Sequence, residues 1–150
     1  MEDECPLPVL EVAVAVLKAD SKFLALYNPK WGEFTLPMTK RRVWKDPEKF
    51  ILAEPREEDW DNAAARAACE ALGRSLEENE KPQKAAEVID YRQGDRDGLW
   101  KRYHFQVFII DLDNPEAVKG QGIMEWWDRD DFQSRKPVSP TARMLIKQVP

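Results

Sequence analysis

A carboxylate, an arginine, a second carboxylate and a glycine fall at fixed intervals in the run Glu58-x7-Arg66-x3-Glu70-x2-Gly73. On a helix, Arg66 and Glu70 share a face because they are four residues apart. A carboxylate on that face can touch a hydrated divalent cation, since hard ions such as magnesium take oxygen ligands. A lone carboxylate cannot hold a pair of ions, nor can it spare a second group as general base. Arg66 precedes Glu70 by four residues and Arg74 follows it by four. A second reading of Glu70, as a member of a surface ion pair, therefore stands beside the first.

This spacing resembles the Nudix box, G-x5-E-x7-R-E-U-x-E-E-x-G-U, where U is a bulky aliphatic residue. The resemblance implies an enzyme that hydrolyses a diphosphate linked to another group, with Mg2+ or Mn2+ binding the phosphates and activating a water. It gives Glu58 and Glu70 residual catalytic roles, Glu70 a residual metal contact and Arg66 a place among the substrate contacts. Directly after Arg66 and directly after Glu70, where the box carries further carboxylates, stand Ala67 and Ala71. The chain thus reads as a Nudix fold with a stripped metal site, weak or inactive in catalysis and binding a nucleotide or a nucleoside-diphosphate-linked ligand. If Ala67 and Ala71 stand on the metal-facing side, glutamates there should create cation binding. Silence toward cations would mean that they face the core or that the altered loop blocks the site, and that the box is misaligned.

The lead-in to the box has changed as well. The family carries W-x-L-P-G-G-K-x-E, and this chain reads Trp31-Gly32-Glu33-Phe34-Thr35-Leu36-Pro37-Met38-Thr39-Lys40. Met38 and Thr39 replace two glycines that let the backbone take strained angles near the phosphates. With Thr39 as the second glycine, the box glutamate belongs at position 45, and it stands thirteen residues later. An inserted loop at about 41–57, with Trp44, Pro47 and Pro55, accounts for the difference. Lys40, Arg41 and Arg42 lie where the resemblance puts the phosphate loop, and arginine offers paired donors to phosphate oxygens. Lys101 and Arg102 form a second basic pair. Trp31 and Trp44 flank the altered loop as candidates for stacking on a nucleobase.

Several elements must hold these residues in place. Residues 12–17 and 23–27 are apolar runs about a polar turn at Asp20 and Ser21, and they predict a hairpin. Residues 87–92 and 103–112 predict two more strands, joined by the turn-forming run 93–98. The second is long and apolar through Val107, Phe108, Ile109 and Ile110, as a central strand would be. The sole histidine, His104, reads there as structural. Glu125-Trp126-Trp127-Asp128 with Asp131-Phe132 predicts a late strand and an acidic turn. Ser139-Pro140 opens a short helix through Arg143, Leu145 and Ile146. The box helix needs no family: Asp59 suits the N-cap, Asp61 the first turn and Gly73 the stop. Between them Ala63, Ala64, Ala65, Ala67, Ala68 and Ala71 favour helix and close packing on a sheet. Residues 77–84 read as a solvated loop. The expected class is α+β, a Nudix-like α/β/α sandwich with a mixed central sheet, in a single domain over residues 1–150.

Composition narrows the function. A chain of 150 residues, 43% of them hydrophobic, suffices for one core. Its net charge of -5 argues against broad nucleic-acid binding, which rests on neutralising phosphates. Cys5 and Cys69 form no framework and read as reduced thiols. The acidic start, Met1-Glu2-Asp3-Glu4, lacks the features of a signal peptide, and no run has the length of a membrane span. A soluble, cytoplasmic protein is expected. Two alternatives to the nucleotide-binding reading remain open. One is an active metal-dependent pyrophosphohydrolase recruiting Glu54, Glu57, Glu58 or Glu125 as substitute carboxylates. The other is a protein-interaction module whose contact surface is the inserted loop.

Overall fold

Small residues and large ones alternate along the first strand, and that alternation sets the two layers of the core. In the computed structural model, which describes residues 9–44, 56–93, 98–112 and 123–150, β1 (Val9–Ala19) turns Val12, Val14 and Val16 to one face and Ala13 and Ala15 to the other. The valines join Phe105, Val107 and Trp127 in the larger cluster. The alanines meet other alanines, from α1 (Trp60–Leu72): Ala13 packs with Ala63 and Ala64, and Ala15 with Ala67, Ala68 and Ala71. Small side chains on both partners let helix and sheet approach closely, as the alanine-rich sequence predicts.

The strands follow the expected order. After β1 come β2 (Lys22–Asn28), β3 (Glu33–Thr35) and β4 (Met38–Lys40), then the short β5 (Val43–Trp44) and β6 (Arg56–Glu57). Next are β7 (Gln83–Gln93), β8 (Trp100–Asp111) and β9 (Met124–Trp127). The main sheet runs β3-β2-β1-β8-β7, with β4 paired to β1 and β9 to β2. β1 and β8 are parallel while β7 and β8 are antiparallel, so the sheet is mixed and β8 is central, as its apolar run predicts. Asp20 and Ser21 make the first hairpin turn, both at positive φ, which matches a two-residue loop to the twist of its strands. α1 covers one face of the sheet. α3 (Pro140–Ile146) packs in the cluster on the other, with α2 (Asp131–Ser134) beside it. The architecture is the expected α/β/α sandwich.

The helix ends show which local signals act. Ser139 caps α3 by accepting a hydrogen bond from the Ala142 backbone N–H. Asp59 stands at the N-cap of α1, yet its side chain makes no capping bond. Gly73 ends α1 at φ 71°, a left-handed angle that any Cβ strains. Gly73→Ala is therefore expected to lower the unfolding free energy by about 1 kcal/mol, with Gly73→Asn less costly, as read by urea denaturation. Equal stability of all three proteins would mean that the helix ends without help from this residue.

Residues 77–79 and 81 are exposed and belong to no helix or strand, as a solvated loop would be, and Glu80 is the departure from that expectation. Glu80 is buried: Arg74 donates Nη1 and Nη2 to its two oxygens at 2.8 and 3.0 Å, and the Glu77 backbone N–H donates at 2.8 Å. Residues 83 and 84 already belong to β7. A carboxylate with a fork of donors satisfies its burial, which polarity alone does not reveal. Arg74 is thereby drawn to Glu80, and of the two cations in helical reach of Glu70 it is Arg66 that pairs with it.

Candidate functional site

Arg66 projects from α1 and ties the helix to the chain before it. Its Nε and Nη2 donate to Glu58 at 3.1 and 3.0 Å, Nη1 donates to Thr39 Oγ1 at 3.0 Å, and Nη2 also donates to the Lys40 carbonyl at 2.9 Å. Glu58 in turn accepts from the Arg42 backbone N–H at 3.0 Å. Hydrogen bonding from Arg66, with that backbone bond, holds the Glu58 carboxyl below the usual glutamate range. Glu58 and Arg66 are thus one structural clamp that fixes β4 on α1. Glu70, 63% exposed, lies 3.5 Å from Arg66 Nη1.

The three consecutive basic residues do not form one cluster. Lys40, opposite Val12 in the β1–β4 register, turns to the α3 side of the sheet. Arg41 turns the other way. Its Nη2 donates to both Glu11 oxygens at 2.8 and 2.9 Å, its Nη1 to the Glu58 carbonyl at 3.1 Å, and its guanidinium lies 5.1 Å from the Trp60 ring. Arg42 is exposed, with its backbone engaged by Glu58. His104, expected to be structural, stands beside Trp60 at 5.1 Å between ring centroids, with Nε2 3.3 Å from Glu87.

Whether this chain can hold a divalent ion at the box helix is decided by its donors. Ala67 and Ala71 are 3% and 5% exposed and pack with Leu17, Leu24, Ile110 and Leu112. Neither carries an oxygen, and their surroundings are hydrocarbon. Among the described residues no group of three His, Cys, Asp or Glu side chains is placed to share a metal. The substitute carboxylates have other partners: Glu57 pairs with Arg41, Glu58 with Arg66, and Glu125 with Trp127 Nε1 and Arg135. Glu54, like the Trp44 side chain and most of the inserted loop, lies outside the described residues. The described residues do not fit a metal pair.

A cleft of about 810 Å³ opens on the α3 side of the sheet. Its floor is Val12, Tyr103 and Phe105, and its cations are Lys40, Arg92 and Lys101. Arg92 is held in place: Nε donates to Asp90, Nη1 donates to Thr141, and the guanidinium lies 5.4 Å from the Tyr103 ring and 5.6 Å from that of Phe105. Trp31, 60% exposed, stands at the other end with Glu33. Of the sequence candidates the cleft gathers Lys40, Trp31 and Lys101, and it leaves out Arg41, Arg42, Glu58, Arg66 and Glu70. Arg92 was not among those candidates. Its signal is the β7–β8 register, which sets it opposite Lys101 on the cleft face.

No family model matches the chain, and no curated protein does. Solved structures do. The MutT protein of Methanosarcina mazei Go1 is similar at a TM-score of 0.68 and 16% identity, over 97% of this chain and 95% of that one. An Ap4A hydrolase of C. elegans is similar at 0.60 and 19%, over 93% and 95%. The NUDIX domain of Shewanella oneidensis NrtR, complexed with ADP ribose, is similar at 0.59 and 16%, over 97% and 87%. This chain has the Nudix fold. Among the described residues no helix is long and apolar enough to cross a membrane.

Proposed function

We propose that this chain binds a nucleotide or a nucleoside-diphosphate-linked ligand in the cleft between β3 and β7, with little or no metal-dependent hydrolysis. The observation that carries the reading is the pairing of a cation-lined, aromatic-walled cleft with a box helix that presents alanine to hydrocarbon where carboxylates would be needed. Lys40, Arg92 and Lys101 line the cleft with the charge that a phosphate requires, and the exposed ring of Trp31 suits a base. Arg41, Glu58 and Arg66 act as positioning residues, because they fix the strand that carries Lys40. A similar fold complexed with ADP ribose, that of NrtR, supports a ligand of this class.

The test is a thermal-shift panel of nucleotides and nucleoside diphosphate derivatives, run in chelator and again in magnesium or manganese, with product release followed in parallel. Ligand-induced stabilisation of the same size in chelator and in metal is expected, with turnover far below about 1 per second. Turnover in the usual enzyme range that disappears with Glu70→Gln would overturn the reading in favour of a working hydrolase. A panel with no stabilisation at all would favour a protein-interaction role.

A further inference from the structure

We infer that this chain forms a symmetric dimer by pairing the free edge of β7 with the β7 of a second copy. The two strands run antiparallel about a two-fold axis at Tyr91, and one sheet continues through both molecules.

The edge itself is the first observation. β3 and β7 end the path β3-β2-β1-β8-β7, and β3 has three residues while β7 has eleven. The unpaired N–H and C=O groups of a long edge are a template for another strand, which sheets ordinarily blunt with a bulge, a proline or a lysine. Here the register shift between Lys84 and Ala86 disturbs only the start of β7. Residues 87–93 contain no proline and no lysine, and among the described residues they pair with β8 alone.

One face of this edge is also apolar and uncovered. β7 gives Ala86 and Val88 to the cluster on the α3 side, and among the described residues it gives nothing to the clusters beneath α1. On that α1 side Ile89 and Tyr91 are 53% and 55% exposed, and Trp100 of β8, opposite Gln93, is 53% exposed. No part of α1 reaches them to bury this surface.

Charge selects a second copy as the occupant and sets its register. A two-fold axis normal to the sheet keeps like faces together, so one residue of β7 must oppose itself on the axis. With Asp90 or Arg92 there, like charges meet. With Tyr91 there, Asp90 opposes Arg92 of the second copy, and Arg92 opposes its Asp90. No other register of this kind sets these opposite charges across the seam. Asp90 and Arg92 already pair within each copy, so the dimer joins two ion pairs into a ring of four alternating charges and leaves none alone. On the other face the two Tyr91 rings meet at the axis, each in diagonal reach of Ile89 of the other copy. The interface is isologous, so assembly stops at two.

Sedimentation equilibrium on the full chain, from about 5 µM to about 500 µM, tests this. The mass should rise from one chain toward two, with a Kd of about 10–100 µM, as a small seam gives. Asp90→Arg and Arg92→Asp should each weaken association about tenfold or more, since each sets like charges across the seam twice. An equimolar mixture of the two variants should associate like the parent, because every pair across the mixed seam is again opposite in charge. Tyr91→Lys, at an exposed position, should weaken association to a similar extent, and it carries the test if the charge variants fail to fold. A chain that stays monomeric throughout the range would leave this edge to a strand of another protein and overturn the inference. Association that survives Tyr91→Lys and both charge variants would place the dimer on another surface and overturn it equally, as would a mixture that fails to restore what its two members lost.

Discussion

Ala67→Glu should lower the unfolding free energy by about 3–5 kcal/mol, and Ala67→Glu with Ala71→Glu should leave a domain of ordinary stability close to unfolding. The cause is depth. Both alanines lie in the layer where α1 touches β1, β2 and β8, so each new carboxyl must overpack that layer or drag a charge into it. Burial raises a carboxyl's folded-state pKa above its unfolded value. Such a group supports the folded state below the unfolded pKa and loses that support as pH rises through the folded one, so the damage should be smaller near about pH 4 than near about pH 8. Urea melts at the two pH values, with and without magnesium or manganese, check both parts. Recovery of parental stability on adding a cation would show instead that these positions look into a metal pocket, as a box aligned by sequence alone allows.

That contrast marks where legibility ends. The box motif names which positions differ from the family, and it says nothing about how deeply they sit; depth comes from Ala13 and Ala15 on a strand that the motif does not include. Elements with strong local signals were readable: the 12–17 and 23–27 runs form the first hairpin, Ser139 caps α3, and Gly73 stops α1. Lys40, Arg41 and Arg42 look like one cluster in sequence, yet extended backbone sends neighbouring side chains to opposite faces, and only Lys40 reaches the cleft. Glu80 looked like surface because its partner Arg74 is needed to make its burial tolerable. Arg92 was silent for a different reason. Its role depends on pairing with Lys101 and on Thr141 from α3, and such long-range registers are set by the whole sheet.

The Glu58–Arg66 clamp should be the second most sensitive point. Arg66→Met removes four hydrogen bonds and leaves Glu58, only 11% exposed, without its cation. A loss of about 2–4 kcal/mol is expected, below the range of a fully buried pair because both groups retain some contact with water. Arg66→Lys should recover little, since a point charge cannot reproduce a fork that reaches Glu58, Thr39 and Lys40 together. The pH dependence identifies the cause. Arg66 holds the Glu58 carboxyl below its unfolded pKa, so the clamp's contribution is present above that unfolded value and is lost as pH falls through the depressed one. The difference between parent and Arg66→Met should therefore be largest near neutral pH and shrink toward strongly acidic pH. A difference that stays constant would mean that Arg66 acts through packing alone. Because the same fork anchors the Lys40 carbonyl, Arg66→Met should also weaken phosphate-bearing ligands more than nucleosides in a chain that is still folded. Equal loss for both ligand classes would separate the clamp from the cationic wall of the cleft.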